Sequence, residues 1–277
     1  MIRNAIAGCI VAAASLTPTS ILHGQDAAHT KPDVHFVVTR QPVVDAMLGL
    51  ARIGANDVVY DLGSGDGRIV ITAARRFGAG GVGIEIDTHL VNLSNRRAKE
   101  AGVGRRVRFL HQDLFASDLS AATVVTMYLG PVLHQRLRPI LQRQLRPGTR
   151  IVAHGWDMGE WEPDARAEAD GRYLFFWIVP ADVAGAWQWR AADGSRQALV
   201  LEQHYQMVTG RWIRNGDTLP IAGGRVAGDS LRLRLVGRGA AFEFRGRVRR
   251  DAIDGTVKRN GRAAHWTARR PRLAYGG

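Results

Sequence analysis

Three acidic residues stand behind three apolar runs, and each suits a different piece of recognition chemistry. Asp61 follows Val58-Val59-Tyr60, Glu85 ends Gly81-Val82-Gly83-Ile84, and Asp113 stands three residues beyond Leu110. Gly63, Gly65 and Gly67 come directly after Asp61. A glycine-rich turn between a strand and a helix brings backbone N–H groups close to a ligand. A dinucleotide fingerprint would place its third glycine at position 68, which is Arg68. A carboxylate just before the first glycine repels a pyrophosphate and suits a ligand that carries an ammonium group. Glu85, 18 residues after Gly67, is placed to accept hydrogen bonds from two ribose hydroxyls. Asp113 is placed to receive the exocyclic amine of adenine.

These residues need strand ends to hold them, and the surrounding pattern supplies strands. Val43, Val44, Met47, Leu48 and Ala51 recur at helical spacing after Pro42, which suits a first helical turn. Apolar runs at 58–60, 81–86, 107–110, 122–129 and 150–154 read as buried strands. Helical stretches between them stop at Gly78, Gly102 and Pro147-Gly148. This alternation predicts an α/β fold, a Rossmann-like, doubly wound, mainly parallel sheet with helices on both faces. Tyr173 to Val179 completes the sheet, and Pro180 to Gly185 reads as a hinge.

A ligand with an amino-acid head, a ribose and an adenine satisfies all three acids, and S-adenosylmethionine is that ligand. Asp61-Leu62-Gly63-Ser64-Gly65-Asp66-Gly67, Glu85 and Asp113 resemble the cofactor motifs of class I, seven-strand methyltransferases over roughly residues 34–180. Phe36-Val37-Val38-Thr39, the run Tyr60 to Ile69 and Leu90-Val91-Asn92-Leu93-Ser94 are similar to a narrower group. These are the protein-lysine methyltransferases whose mitochondrial members modify the ATP-synthase c-subunit and the adenine nucleotide translocase. The entry segment departs from that family's Tyr-Val-Pro-Thr-like pattern at Phe36 and Val38, which weakens the transfer of lysine specificity. The resemblance implies that Gly63, Ser64 and Gly65 underlie the methionine part of the cofactor and that Asp61 reaches its ammonium. It implies further that Glu85 holds the ribose, Asp113 and Leu114 the adenine, and that Thr39 closes the site. Gly67 either joins the cofactor-binding loop or merely permits a tight turn, and Asp66 either caps the next helix or touches cofactor.

The methyl acceptor is expected beyond the fourth strand, near Thr126, Met127, Tyr128 and Pro131. Tyr128 either orients an amine or packs. His154, ending the fifth strand, is either a proton acceptor or a hydrogen-bonded strand-end histidine. Asp157, Glu160 and Glu162 form either an acidic rim that draws a cationic substrate or a solvated loop. Trp156 and Trp161 are read as packing residues. Nine histidines are scattered without metal-ligand spacing, so no metal is expected. No Gly-x-Ser-x-Gly elbow supports hydrolase chemistry.

The net charge of +13 on 277 residues is uneven. Residues 1–180 hold 20 bases and 17 acids, whereas 181–277 hold 18 bases and 8 acids. Of the 38 bases, 35 are arginine, which a genome-wide bias also produces. Beyond residue 184 the periodicity becomes two, as in Leu231-Arg232-Leu233-Arg234-Leu235. Turn signals recur at Asp193-Gly194, Asn215-Gly216, Gly228-Asp229, Asp254-Gly255 and Asn260-Gly261. Residues 30–183 are therefore read as the catalytic domain, and 184–277 as a small antiparallel all-β barrel or sandwich of six to eight strands. Its outward arginines are either a solvated face or a surface for an anionic envelope. No nucleic-acid partner is expected, because no RNA-binding aromatic motif is present. Ala5 to Leu16 has the length of a signal-peptide core, and residues 1–24 are read as a signal peptide. The expected location is therefore outside the cytoplasm, periplasmic or secreted; a misassigned start would leave the chain cytoplasmic.

The leading expectation is a protein-lysine methyltransferase. The alternatives are a small-molecule methyltransferase and a non-catalytic module that binds the envelope.

Overall fold

The apolar runs of the first half become strands that pair side by side, because they are short and mostly buried, and helices follow β1, β2 and β4 to cover the sheet. A computed structural model describes residues 35–237 and 239–271. The expected signal peptide, with the single cysteine Cys9, lies outside the described residues. In order come α1 (Gln41–Leu50), β1 (Val58–Leu62), α2 (Arg68–Phe77), β2 (Gly80–Glu85), α3 (Thr88–Glu100) and β3 (Val107–His111). Then follow β4 (Val124–Met127), α4 (Pro131–Gln144), β5 (Arg150–His154), β6 (Ala165–Ala169) and β7 (Arg172–Ile178). They form a seven-stranded sheet of order β3-β2-β1-β4-β5-β7-β6. β7 runs antiparallel to both neighbours. The order reverses between β1 and β4, and a crevice opens there at the strands' carboxyl ends.

Strand β6 has no counterpart in the sequence pattern. Its Ala-Arg-Ala-Glu-Ala lacks β-branched and aromatic residues, so no strand signal registers. It forms at the sheet edge on the ladder that β7 offers.

The rest of the chain is β8 (Gly185–Arg190), β9 (Arg196–His204), β10 (Met207–Arg214), β11 (Asp217–Ala227), β12 (Ser230–Gly237), β13 (Ala240–Arg249), β14 (Ala252–Arg259) and β15 (Arg262–Arg269). These eight strands close into an antiparallel barrel. An eight-stranded barrel is just wide enough for side chains to fill. Trp187, Trp212, Phe244 and Trp266 fill it, with the Trp212 and Trp266 rings each 5.3 Å from Phe244. Leu231, Leu233 and Leu235 point inward and are buried, while the arginines between them face out. Register then sets Arg225, Arg232 and Arg245 side by side on three neighbouring strands.

Two features differ from expectation. The stretch read as a hinge is pinned: Ala181 N–H donates to the Gly228 carbonyl at 2.8 Å, and Val183 N–H to Gln203 Oε1 at 2.7 Å. Val183 is fully buried. Asp254-Gly255 lies inside β14 and makes no turn; the chain reverses at Arg250-Asp251 instead. Gly255 is needed there for close approach, since a Cβ would stand 1.9 Å from the Arg245 carbonyl oxygen. Gly255→Ala is therefore expected to lower stability by at least about 1–3 kcal/mol through overpacking. A urea-unfolding midpoint equal to that of the parent protein contradicts this account.

Candidate functional site

One residue before the end of β1, the Asp61 side chain is almost wholly buried, 3% exposed, with Oδ1 accepting from the Thr126 hydroxyl at 2.7 Å. Burial pushes its pKa up to about 7, and the carboxylates of Glu85 and Asp66 push the same way, against the Thr126 hydrogen bond. Glu85 ends β2 with both oxygens engaged. Oε2 accepts from Gly65 N–H at 2.8 Å, and Oε1 from Ile86 and Asp87 N–H at 2.9 and 3.0 Å. An ionised carboxylate offers about four acceptor sites, so one remains toward the crevice.

The glycine loop does not work as a nest of donors. Gly63 and Ser64 N–H both donate to the Ile84 carbonyl at 2.9 Å, Gly65 N–H to Glu85, and Gly67 N–H to the Ser64 carbonyl at 2.9 Å. The expectation that these N–H groups approach a ligand is thus corrected: they are used within the protein. What the loop offers instead is space. Gly65 has φ of 53°, and a Cβ on it would stand 2.2 Å from the Phe36 ring. Phe36 of the entry segment thereby closes on the loop. Gly67, at φ of 77°, is the N-cap of α2.

Asp66 stands one residue before that cap, yet its Oδ1 accepts from the first helical N–H, Arg68, at 3.3 Å. It is 2% exposed and clamped by two guanidiniums, Arg68 (Nε to Oδ1 2.9 Å) and Arg97, which outweigh burial and hold its carboxyl below the usual range. Arg68 reaches on to the Thr39 carbonyl at 3.0 Å and ties the entry segment to the loop. In the sequence, Arg68 serves only to exclude a dinucleotide.

A cavity of about 400 Å³ lies at this crevice. Asp61, Gly63, Ser64, Asp66 and Glu85 form its floor, and Thr39 with Phe36 its N-terminal wall. Asp113, Leu114 and Phe115 line the side beyond β3, and Tyr128 and Leu129 the side beyond β4. Asp113 Oδ1 accepts from Phe115 N–H at 2.8 Å. Asp87 and Arg136 also line the cavity, and sequence reasoning misses both. Asp87 caps α3, accepting from His89 N–H at 2.7 Å, so an acid just before a helix is the signal that could find it. Arg136 lies over the Phe115 ring at 4.1 Å.

Gly65, Gly67 and His154 stand behind the cavity wall. His154 is 3% exposed, stacks on Tyr128 with ring centroids 3.7 Å apart, and meets the Thr39 hydroxyl at 3.3 Å through Nδ1. Its Nε2 is buried and has no hydrogen-bond partner among the described residues. Burial, with the Arg172 and His134 charges adding, pulls its pKa down to about 4. Tyr128 lies between His154 and Trp156, the latter 5.8 Å away, stacked and 40% exposed. The expected acidic rim is partly neutralised, since Glu160 faces Arg138 at 3.8 Å and Glu162 pairs with Arg166 at 3.0 Å. Among the described residues, no cluster of three or more potential ligand side chains could hold a metal ion.

The site fits S-adenosylmethionine on its own observations. A deep carboxylate with no cation beside it among the described residues, a second carboxylate with one acceptor site left, and Gly63, on which a Cβ would stand 2.8 Å from Leu129, all line one cavity. The seven-strand order and this site define a class I, S-adenosylmethionine-dependent methyltransferase. The family described as the ANTKMT methyltransferase domain matches residues 61–165. A protein-lysine N-methyltransferase of Saccharolobus islandicus is 41% identical over 133 residues, 48% of this chain and 83% of that one. The chain belongs to this family of protein-lysine N-methyltransferases. An adenine nucleotide translocase lysine N-methyltransferase of Mus musculus is 33% identical over 48% of this chain, which spans 57% of the mouse protein. A crystal structure of an RNA methyltransferase from Salinibacter ruber with S-adenosyl-L-homocysteine is 55% identical. It covers 53% of this chain and 96% of its own, with a TM-score of 0.52.

Two outcomes follow from the site. Glu85→Ala is expected to weaken S-adenosylmethionine binding by at least about 1–3 kcal/mol, the worth of charged hydrogen bonds, as read by calorimetric titration; unchanged affinity removes Glu85 from the ribose role. Asp61 also carries a pH signature. Its folded pKa is raised from the ordinary 3.8, so its contribution to stability is full below 3.8 and is lost as pH rises through about 7. A bound ammonium favours the ionised carboxylate, so cofactor affinity rises through the same window, with proton release on binding within it. Titration in buffers of different ionisation enthalpy measures that release, and Asp61→Asn abolishes it.

Proposed function

We propose that the chain transfers the cofactor methyl group to the ε-amine of a protein lysine. The observation that carries this reading is the 41% identity to a protein-lysine N-methyltransferase across most of that protein's length. The cavity adds to it, because the Tyr128 ring, stacked between His154 and the partly exposed Trp156, lines the crevice on the side beyond β4.

S-adenosylmethionine supplies a methyl group on a sulfonium, open to in-line displacement. The chain's part is to bind and orient. Asp61 meets the ammonium and Glu85 a ribose hydroxyl. Phe36 and Leu129 exclude water on two sides. Tyr128, fixed by its stack, sets the approach of the amine. His154 is a poor proton acceptor, since it stands behind Tyr128 and a pKa pulled down to about 4 makes it a weak base. The amine therefore arrives neutral from solvent, or loses its proton to water at the mouth.

The test is transfer of labelled methyl from S-adenosylmethionine to a cell extract. Label recovered as ε-N-methyllysine after protein hydrolysis supports the reading. Label that is ribonuclease-sensitive, as for an RNA methyltransferase like the Salinibacter ruber relative, overturns it, as does label confined to small molecules. With the lysine substrate in hand, Tyr128→Ala is expected to lower kcat/KM by about 10–100-fold through lost orientation. His154→Phe, which keeps the stack, stays well short of the ~10²–10⁴-fold loss that follows removal of a general base.

A further inference from the structure

The two-residue hairpin between β9 and β10 leaves the barrel and enters the catalytic domain. Tyr205, at its tip, packs against the hydrophobic core beneath β4 and α4. Its ring stacks on the fully buried Trp161, with centroids 5.8 Å apart and planes 10° apart. The Arg138 guanidinium lies 5.8 Å from the ring centroid on α4. Gln206, 2% exposed, donates through Nε2 to the Glu162 carbonyl at 2.6 Å. On the next strand, Arg225 pairs with Asp164. The barrel thus holds residues 161–164 at three points.

Tyr205 has φ of 53°, a left-handed conformation that bulky side chains adopt only at a cost. Glycine would relieve that cost, so the position retains its ring against the local backbone preference. The ring's contact is Trp161, and Trp161 belongs to the loop that follows β5. That loop is one tight unit. Met158 and Trp161 form a β-bridge across Gly159, Arg138 Nη1 donates to the Met158 carbonyl at 2.8 Å, and Trp177 Nε1 donates to the Trp161 carbonyl at 2.7 Å. At its start stands Trp156, whose carbonyl meets His134 Nδ1 at 3.0 Å and whose ring stacks on Tyr128 at the cavity. The family match ends at residue 165, before any of the barrel residues that grip this loop.

We propose that Tyr205, with Gln206, is a positioning residue for methyl transfer. Through Trp161, the barrel hairpin sets the loop after β5 and with it the Trp156 ring, which holds the Tyr128 side chain at the acceptor side of the cavity. The barrel is then part of the acceptor site while touching neither cofactor nor acceptor. The inference rests on the lysine reading only for the choice of probe.

The experiment uses the full chain, S-adenosylmethionine and poly-L-lysine, with Tyr205→Ala and Tyr205→Phe. Tyr205→Phe keeps the stack and loses only a hydroxyl 3.5 Å from Glu160. Tyr205→Ala is expected to raise KM for poly-L-lysine at least about fivefold while kcat and cofactor affinity stay within about twofold, and Tyr205→Phe to restore the parent KM. Amide hydrogen exchange across residues 155–164 is expected to quicken in Tyr205→Ala and not in Tyr205→Phe. Parent KM together with parent exchange in Tyr205→Ala overturns the proposal. So does a joint fall of kcat, cofactor affinity and melting temperature, which marks a general structural role. If the parent protein methylates no poly-L-lysine, the lysine reading is decided by the extract experiment, and the exchange comparison decides the positioning role in either direction.

Discussion

Asp61, Asp66 and Glu85 bring three carboxylates into one buried patch at the end of the first two strands. Charges so placed repel one another and lose water, so each requires a partner. Asp66 has two arginines, and Glu85 has three backbone N–H groups. Asp61 has one neutral hydroxyl. The patch is therefore complete at two carboxylates and short of a positive charge at the third. That imbalance selects a cationic ligand head, and the rest of the site follows from where Asp61 stands. The same arrangement explains why the glycine loop is no phosphate cradle, because its N–H groups already satisfy Ile84 and Glu85.

Much of this is legible in the sequence, for identifiable reasons. Buried parallel strands read as unbroken apolar runs, and the residue that ends each run lies at the crevice by geometry, which is why Asp61, Glu85 and Asp113 can be placed. The turns at Asn215-Gly216 and Asn260-Gly261 carry their own backbone chemistry. Other features have no local signature. The fate of the loop's N–H groups depends on which strand lies alongside. Asp254-Gly255 looks like a turn, but Gly255 serves interstrand contact. Asp66 looks like a cap because nothing local points to Arg97, 31 residues away, as its partner. His154 looks like a base because burial behind Tyr128 is a tertiary fact.

The relation of barrel to sheet is the least legible. Composition and periodicity separate the two, and Pro180 to Gly185 suggests a hinge between them. The contacts run the other way. Buried Gln206, the stacked Tyr205 and the Arg225–Asp164 pair join the barrel to the loop after β5, and backbone hydrogen bonds fix the connecting segment. His204-Tyr205-Gln206-Met207 holds none of the usual turn residues, and that anomaly is the one trace the docking leaves in the sequence.

The row of Arg225, Arg232 and Arg245 carries a consequence of its own. Like charges directly opposite one another on neighbouring strands weaken a sheet, and these three occupy matching register positions. Asp164 and Glu243 relieve the outer two. Dissolved salt screens such repulsion over about 10 Å at 0.1 M. Gathered counterions thus ease the repulsion along this row while they loosen pairs such as Arg214–Asp193 and Arg247–Asp229 elsewhere on the barrel.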